Sequence, residues 1–267
     1  MKTTKTTQQI IKNRNDEKIV RIKDAITNEE IKANSTGFVK LNELMSGGFR
    51  KGDLVVLSGR SGNGKTTVGL NFMKNFVALN PVLFSYEVQI DRVYESLQTM
   101  MMGEDPNIFT PKRNVSGNVD WIKDRIIEAI GKYKSSFIVI DHLDFITSDH
   151  TSDDGRRNEI NSIITRLKTL AVEKGLIIVL QVHVRKGNGD SQALGNSDLA
   201  DSRSIANLAD FVMFANREMG EDNIAVGNEG RIVLTKNRYN GKQGKMDYTV
   251  DSNGIITEIE EYKPYTG

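Results

Sequence analysis

The chain has 267 residues, a formal net charge of +1, 38% hydrophobic residues and no cysteine. Zero cysteine excludes a disulfide framework, a Cys-ligated zinc or iron–sulfur centre and a thiol nucleophile, and it fits a reducing compartment; three histidines, His142, His150 and His183, leave little for a His-rich metal site. The length suits one large α/β domain with a full core, near-neutral charge argues against a uniformly basic nucleic-acid coat, and the longest apolar runs fall well short of the roughly 18–20 residues of a membrane helix.

Met1 to Asn15 (MKTTKTTQQIIKNRN) is basic and polar and reads as a flexible arm. Glu17 to Ala33 is an amphipathic helix candidate with Ile19, Ile22, Ile26 and Ile31 near one face. Such a face packs on its own domain or docks as a linker on a neighbouring subunit, and the pattern does not choose between them. Residues 1–34 therefore read as an arm with a candidate linker helix, and 35–267 as the main domain.

From Thr36 onward strands and helices alternate. Strand-like runs are Leu54–Ser58, Val82–Tyr86, Phe137–Asp141, Leu176–Val184, Phe211–Ala215 and Arg231–Lys236. Helical stretches are Lys65–Leu79, Asp91–Met101, Trp121–Tyr133 and Glu159–Lys174, with Gly175 as a helix terminator. Short apolar strands alternating with helices predict a mostly parallel sheet flanked by helices. The tail, Lys242–Pro264, carries alternating strand residues and predicts an antiparallel edge hairpin.

Gly59-Arg60-Ser61-Gly62-Asn63-Gly64-Lys65-Thr66 fits G-x-x-x-x-G-K-[ST], between the strand LVVLS and a helical stretch. Glycines at this spacing turn successive N–H groups inward around phosphate oxygens, and the helix start presents its positive dipole to the same anion. Lys65 reaches the β- and γ-phosphates and the Thr66 hydroxyl ligates Mg²⁺. Gly59, Ser61, Gly62, Asn63, Gly64, Lys65, Thr66 and Thr67 are thus the candidate site for ATP. Two further apolar runs end in acids. Asp141 closes FIVID, where a carboxylate holds Mg²⁺, with Asp144 as the weaker candidate. Glu87 closes VLFSYE, the next strand after the phosphate loop, where a carboxylate orients the attacking water; Asp91 is the alternative.

Together these segments resemble the RecA-like motor domain of ring-shaped replicative DNA helicases, the family of bacterial DnaB, phage primase–helicases and mitochondrial Twinkle. The resemblance runs from about Thr36 to Val250, opening on GFVKLNELMSGGFRKG and continuing through GRSGNGKTT, FSYE and IVIDHLDF. It implies a RecA-like P-loop NTPase fold with an antiparallel C-terminal edge, ATP and Mg²⁺ as ligands, and Glu87 as the catalytic base. The phage and Twinkle branches look most similar, because His183 follows the fourth core strand; there it implies a γ-phosphate sensor, with Gln181 as the fallback. The polar loop Arg185–Arg203 is similar to the segment that contacts single-stranded DNA in the family, which implies contacts from Lys186, Arg203 and backbone amides near Asp201. The family's Asp-Leu-Arg is Asp198-Leu199-Ala200 here, and Arg203 replaces a small residue, so the basic contact moves by three positions. The loop has no aromatic residue for base stacking. Lys236-Asn237-Arg238 matches the family's Lys-x-Arg, where the arginine reaches the neighbouring subunit's nucleotide and the lysine assists.

The resemblance further implies a homo-oligomer, a hexameric ring acting on single-stranded DNA, with primase and loader as separate proteins, in the cytoplasm of a bacterial or phage-infected cell. A recombination ATPase or a partner-remodelling ATPase on the same fold is the alternative. A small-molecule kinase lacks support, because no basic lid segment is evident.

Overall fold

The computed structural model describes residues 32–113, 116–146, 153–184, 202–219 and 225–259. The chain divides between Lys32 and Ala33, and the unit beginning at Ala33 carries the fold. The N-terminal arm and nearly all of the candidate linker helix lie outside the described residues, as does the segment 185–201.

Five apolar runs form the parallel part of the sheet: β1 (Leu54–Gly59), β2 (Val82–Ser85), β3 (Phe137–Asp141), β4 (Ile177–His183) and β5 (Phe211–Met219). Their order is β2-β3-β4-β1-β5, so the phosphate-loop strand lies inside the sheet. Three antiparallel strands continue it: β6 (Ala225–Asn237), β7 (Gly244–Val250) and β8 (Ile256–Glu258). This is the expected α/β fold with an antiparallel edge.

All residues of β1, β2 and β3 are buried, because helices cover both faces. Alternation along β1 sorts its side chains. Val55 and Leu57 enter the core made with α1 (Val39–Leu44), α2 (Lys65–Asn75) and α3 (Ile90–Met100). Leu54 and Val56 enter the core made with α4 (Val119–Tyr133), α5 (Asp153–Lys174) and α6 (Ser202–Leu208). Phe76 stacks on Phe137 with ring centroids 4.4 Å apart, tying the end of α2 to the start of β3.

Several boundaries differ from the sequence pattern, each for a local reason. The α2 helix stops at Asn75 and a 3₁₀ turn, Val77–Leu79, follows, closed by Asn80 in the left-handed region before Pro81. The α4 helix starts two residues early because the Asn118 side chain accepts from the Asp120 N–H. At the other end of α5, Gly175 takes φ +62° and Leu176 N–H returns to Ala171 O at 2.8 Å, the helix stop that the glycine predicts. Strands β5 and β6 run past their apolar cores, because ladder hydrogen bonds continue between polar residues such as Asn216 and Arg231. The tail forms the expected antiparallel edge hairpin, β7 with β8, and β7 joins it to β6 of the main sheet. Among the described residues no helix is long and apolar enough to cross a membrane.

Candidate functional site

The carboxyl ends of β1, β2, β3 and β4 converge, as parallel sheets require of strands of one direction. Register places Gly59 beside His183 and Ser85 beside Asp141. Beyond β1 the chain turns through residues 60–64 into α2. Gly64 caps that helix at φ +83°, a conformation that disfavours any side chain. A Cβ on Gly59 would lie 2.6 Å from the carbonyl oxygen of Ala215, so this glycine lets the loop lie against β5.

Lys65 opens α2 and folds back over its own loop. Its ammonium donates to Gly59 O at 3.0 Å and to Arg60 O at 3.1 Å, and lies 3.3 Å from His183 Nδ1. Burial lowers its pKa, and the carboxylates of Glu87, Asp141 and Asp144 oppose that shift. Thr66 Oγ1 donates to Asp141 Oδ2 at 3.1 Å. The other carboxylate oxygen, Asp141 Oδ1, is buried without a hydrogen-bond partner. Burial pushes the Asp141 carboxyl up to about 6, against the pull of Thr66 and Lys65. A hydroxyl beside an orphaned buried carboxylate oxygen fits a hard divalent cation such as Mg²⁺.

Glu87 lies two residues beyond β2 and is half-exposed, with Oε2 3.5 Å from His142 Nε2 and 3.9 Å from His183 Nε2. The two histidines stand with perpendicular rings and Nε2 atoms 3.0 Å apart. Burial, first, lowers the pKa of both; each then feels a neighbouring positive group, His183 for His142 and Lys65 for His183. His142 Nδ1 lies 3.5 Å from Asp144 Oδ2. The peptide joining Asp141 to His142 is cis.

A cavity of about 220 Å³ sits over this group, lined by Ser61, Gly62, Gly64, Lys65, Thr66, Thr67, Glu87, His183 and Arg217. A larger one, about 540 Å³, lies between α4 and α5 and carries no phosphate-loop residue; Asp120 and Arg166, both in its wall, are paired with each other. Chemistry, not volume, selects the smaller cavity.

The profile of the DnaB-like helicase C-terminal domain matches residues 34–108 and 104–255. The chain belongs to this family. It is 26% identical over 280 residues to the replicative DNA helicase DnaB of Mycoplasma pneumoniae, covering 88% of this chain and 58% of that protein. It is 26% identical to the DnaB of Haemophilus influenzae, covering 79% of this chain and 52% of that protein. The chain thus spans just over half the length of these curated relatives. Among solved structures, an isolated ATPase domain superposes with a TM-score of 0.75 at 20% identity, over 89% of this chain and 95% of that one. A DnaB-like replicative helicase, described with its interactions with primase, gives 0.76 at 20% identity, over 95% and 70%. These two likenesses establish the RecA-like fold.

In this DnaB-like domain the structure brings together Lys65, Thr66, Asp141, Glu87 and His183. Of the alternatives, Asp144 stays beside His142, whereas Gln181 and Asp91 fall away from the cavity. Gln181 is buried against Gly69 of α2, and Asp91 sits exposed on the first turn of α3, accepting from the Arg92 N–H. Lys236 and Arg238 stand at the other end of the sheet. Arg238 N–H bonds Asp210 O, and Asp210 N–H bonds Leu54 O, level with the start of β1. Gly59 is five residues further along that strand, about 15–20 Å away. Both side chains cap α6: Lys236 donates to the carbonyls of Ala206 and Asn207, and Arg238 to those of Asn207, Leu208 and Ala209. Arg238 also pairs with Asp210 at 3.1 Å. Lys186 and Asp201 lie outside the described residues. The backbone of Arg203 belongs to α6, and its side chain is outside the described set.

Two site residues escaped the sequence pattern. His142 had a usable signal, since it directly follows Asp141 at a strand's carboxyl end. Arg217 had none, because the apolar run ends at Ala215 and the strand continues past it.

Proposed function

We propose that the chain is the motor of a replicative-type DNA helicase, hydrolysing ATP with Mg²⁺ to move along single-stranded DNA as a homohexameric ring. The observation that carries this reading is the convergence of Lys65, the Thr66–Asp141 pair and the Glu87 carboxylate at one sheet end, inside a chain of the DnaB-like family. The site belongs to a cytoplasmic protein of a bacterial or phage-infected cell, with primase and loader as separate partners.

The residues present fit MgATP. The loop Gly59–Thr67 would hold the phosphates, and Thr66 with Asp141 the cation. MgATP supplies the scissile phosphoryl group and the positive charge that offsets its oxygens. Lys65 exchanges its bonds to Gly59 O and Arg60 O for phosphate oxygens, so its burial is offset by a stronger anionic partner. Glu87, open to the cavity, holds a water and takes its proton on a carboxylate oxygen. His183 stands between Lys65 and Glu87 at the end of β4, and the segment 185–201 follows directly in the chain. A change in its partners at the phosphate therefore acts on the candidate DNA contacts Lys186, Asp201 and Arg203. Arg238 acts on the neighbouring subunit's nucleotide, with Lys236 assisting.

The test is steady-state ATP hydrolysis with and without single-stranded DNA, with Glu87→Gln as the blank. Glu87→Gln is expected to bind ATP and to lose hydrolysis at least a hundredfold, in line with the roughly 10²–10⁴ that a general base contributes. Retained turnover would remove Glu87 as the base. DNA-stimulated hydrolysis with forked-duplex unwinding supports the helicase reading; stimulation without unwinding points to a recombination ATPase. Hydrolysis indifferent to DNA points to partner remodelling and removes the DNA contacts first.

A further inference from the structure

We propose that Glu87, His142 and His183 form a binding site for a divalent transition metal of the zinc class, separate from the Mg²⁺ position at Thr66 and Asp141. The ligand atoms are Glu87 Oε2, His142 Nε2 and His183 Nε2, all within 4.8 Å of one another. Their separations are 3.0, 3.5 and 3.9 Å, and the point equidistant from three such atoms lies about 2.0 Å from each, the length of a Zn–N or Zn–O bond. Two imidazoles and one carboxylate favour Zn²⁺ and its neighbours over Mg²⁺, which prefers oxygen ligands and keeps its waters.

The surroundings suit an ion. His142, its side chain only 7% exposed, is held in place: its Nδ1 accepts from the Asp144 N–H at 3.3 Å and lies 3.5 Å from Asp144 Oδ2. When His142 Nε2 takes an ion, the ring's proton moves to Nδ1, where the Asp144 carboxylate replaces the Asp144 N–H as its partner and orients the ring. On His183 the neutral ring moves its proton from Nε2 to Nδ1 when Nε2 takes the ion. That shift ends the contact with Lys65, which retains the carbonyls of Gly59 and Arg60 as acceptors. The carboxylates of Glu87, Asp141 and Asp144 all bear on Lys65 and offset its positive charge beside the site. Glu87 and His183 line the cavity, so a fourth coordination position opens into it.

An ion held there occupies the carboxylate oxygen that takes a proton from water and the imidazole beside the phosphate position. Zinc therefore inhibits hydrolysis. This consequence rests on the role proposed for Glu87, whereas binding itself does not.

The experiment titrates the nucleotide-free full chain with Co²⁺ as the probe, reads its visible d–d absorption, and displaces it with Zn²⁺. One ion per chain is expected, with Zn²⁺ raising the melting temperature. Loss of a residue that only orients a ligand costs roughly 10–100-fold in metal affinity. His142→Ala is expected to weaken binding beyond that range, and Asp144→Asn to weaken it within that range. Asp141→Asn is expected to keep the Co²⁺ band. Melting curves without metal establish that each variant folds, and His183→Ala supplies a second ligand deletion should His142→Ala unfold. Unchanged Co²⁺ affinity in the folded ligand deletions, or loss of the band in Asp141→Asn alone, overturns the site. With binding established, Mg²⁺-dependent hydrolysis insensitive to Zn²⁺ in the wild type overturns the inhibition. A chain that binds Co²⁺ as expected and never hydrolyses ATP overturns the motor reading and leaves the metal site standing.

Discussion

At the scale of single residues, a charge costs most where it is buried, and the buried acids of this chain meet that cost differently. Asp141 is buried with one oxygen unpaired, which suits a residue waiting for a cation. Asp53, at the far end of β1, is buried for structure instead: its oxygens accept from the Tyr239 hydroxyl and the Arg50 N–H. Burial nevertheless pushes its carboxyl up to about 6, with the nearby Asp210 adding to the shift. The protonated form therefore favours the fold. That contribution is full below the unfolded value of 3.8 and is lost as pH rises through about 6. Asp53→Asn is accordingly expected to gain about 1–3 kcal/mol relative to wild type between pH 4 and pH 7.5, read from urea midpoints. A difference that does not change with pH would refute the assignment. Asp141 and Glu87 are legible in the sequence because each acid ends an apolar run. The role of His142 is not, because its partners come from separate strand ends.

At the scale of elements, close approach decides which glycines matter. Gly230 on β6 pairs with Tyr248 on β7, and a Cβ there would lie 2.4 Å from the Tyr248 ring, which is almost fully buried. Gly131, inside α4, has nothing within 4 Å of its virtual Cβ. The same change should thus act in opposite directions. Gly230→Ala is expected to destabilise by about 1–3 kcal/mol through overpacking, and Gly131→Ala to stabilise by about 0.5–1 kcal/mol through helix propensity. Equal effects in thermal or urea unfolding would count against the packing account. Sequence periodicity could not distinguish these two glycines, since contact with Tyr248 exists only once β6 and β7 pair. The polar extensions of β5 and β6 were hidden for a related reason: ladder hydrogen bonds, not apolar side chains, hold them.

At the scale of the whole molecule, the sheet separates Arg238 from its own phosphate loop, so the trans role proposed for it requires a neighbour's nucleotide. Within its own chain it caps α6 and pairs with Asp210, and Asp210 also holds Lys168. Release of Arg238 to a neighbour therefore leaves that buried carboxylate with a cationic partner, and leaves α6 with Lys236. Arg238→Ala is expected to lower hydrolysis by about 10³-fold or more and to poison wild-type rings when mixed, since such a finger is worth roughly 10³–10⁵ in rate. Activity that falls only in proportion to the wild-type fraction would sink the trans role. The sequence by itself determined the strands, the phosphate loop and the acids at strand ends, because periodicity and spacing are local properties of the chain. Only the tertiary structure decided that His142 joins Glu87 and His183, that Arg217 reaches the cavity, and that Lys236 and Arg238 lie across the sheet from Lys65. Those facts depend on strand order and register, which bring together residues that no local pattern relates.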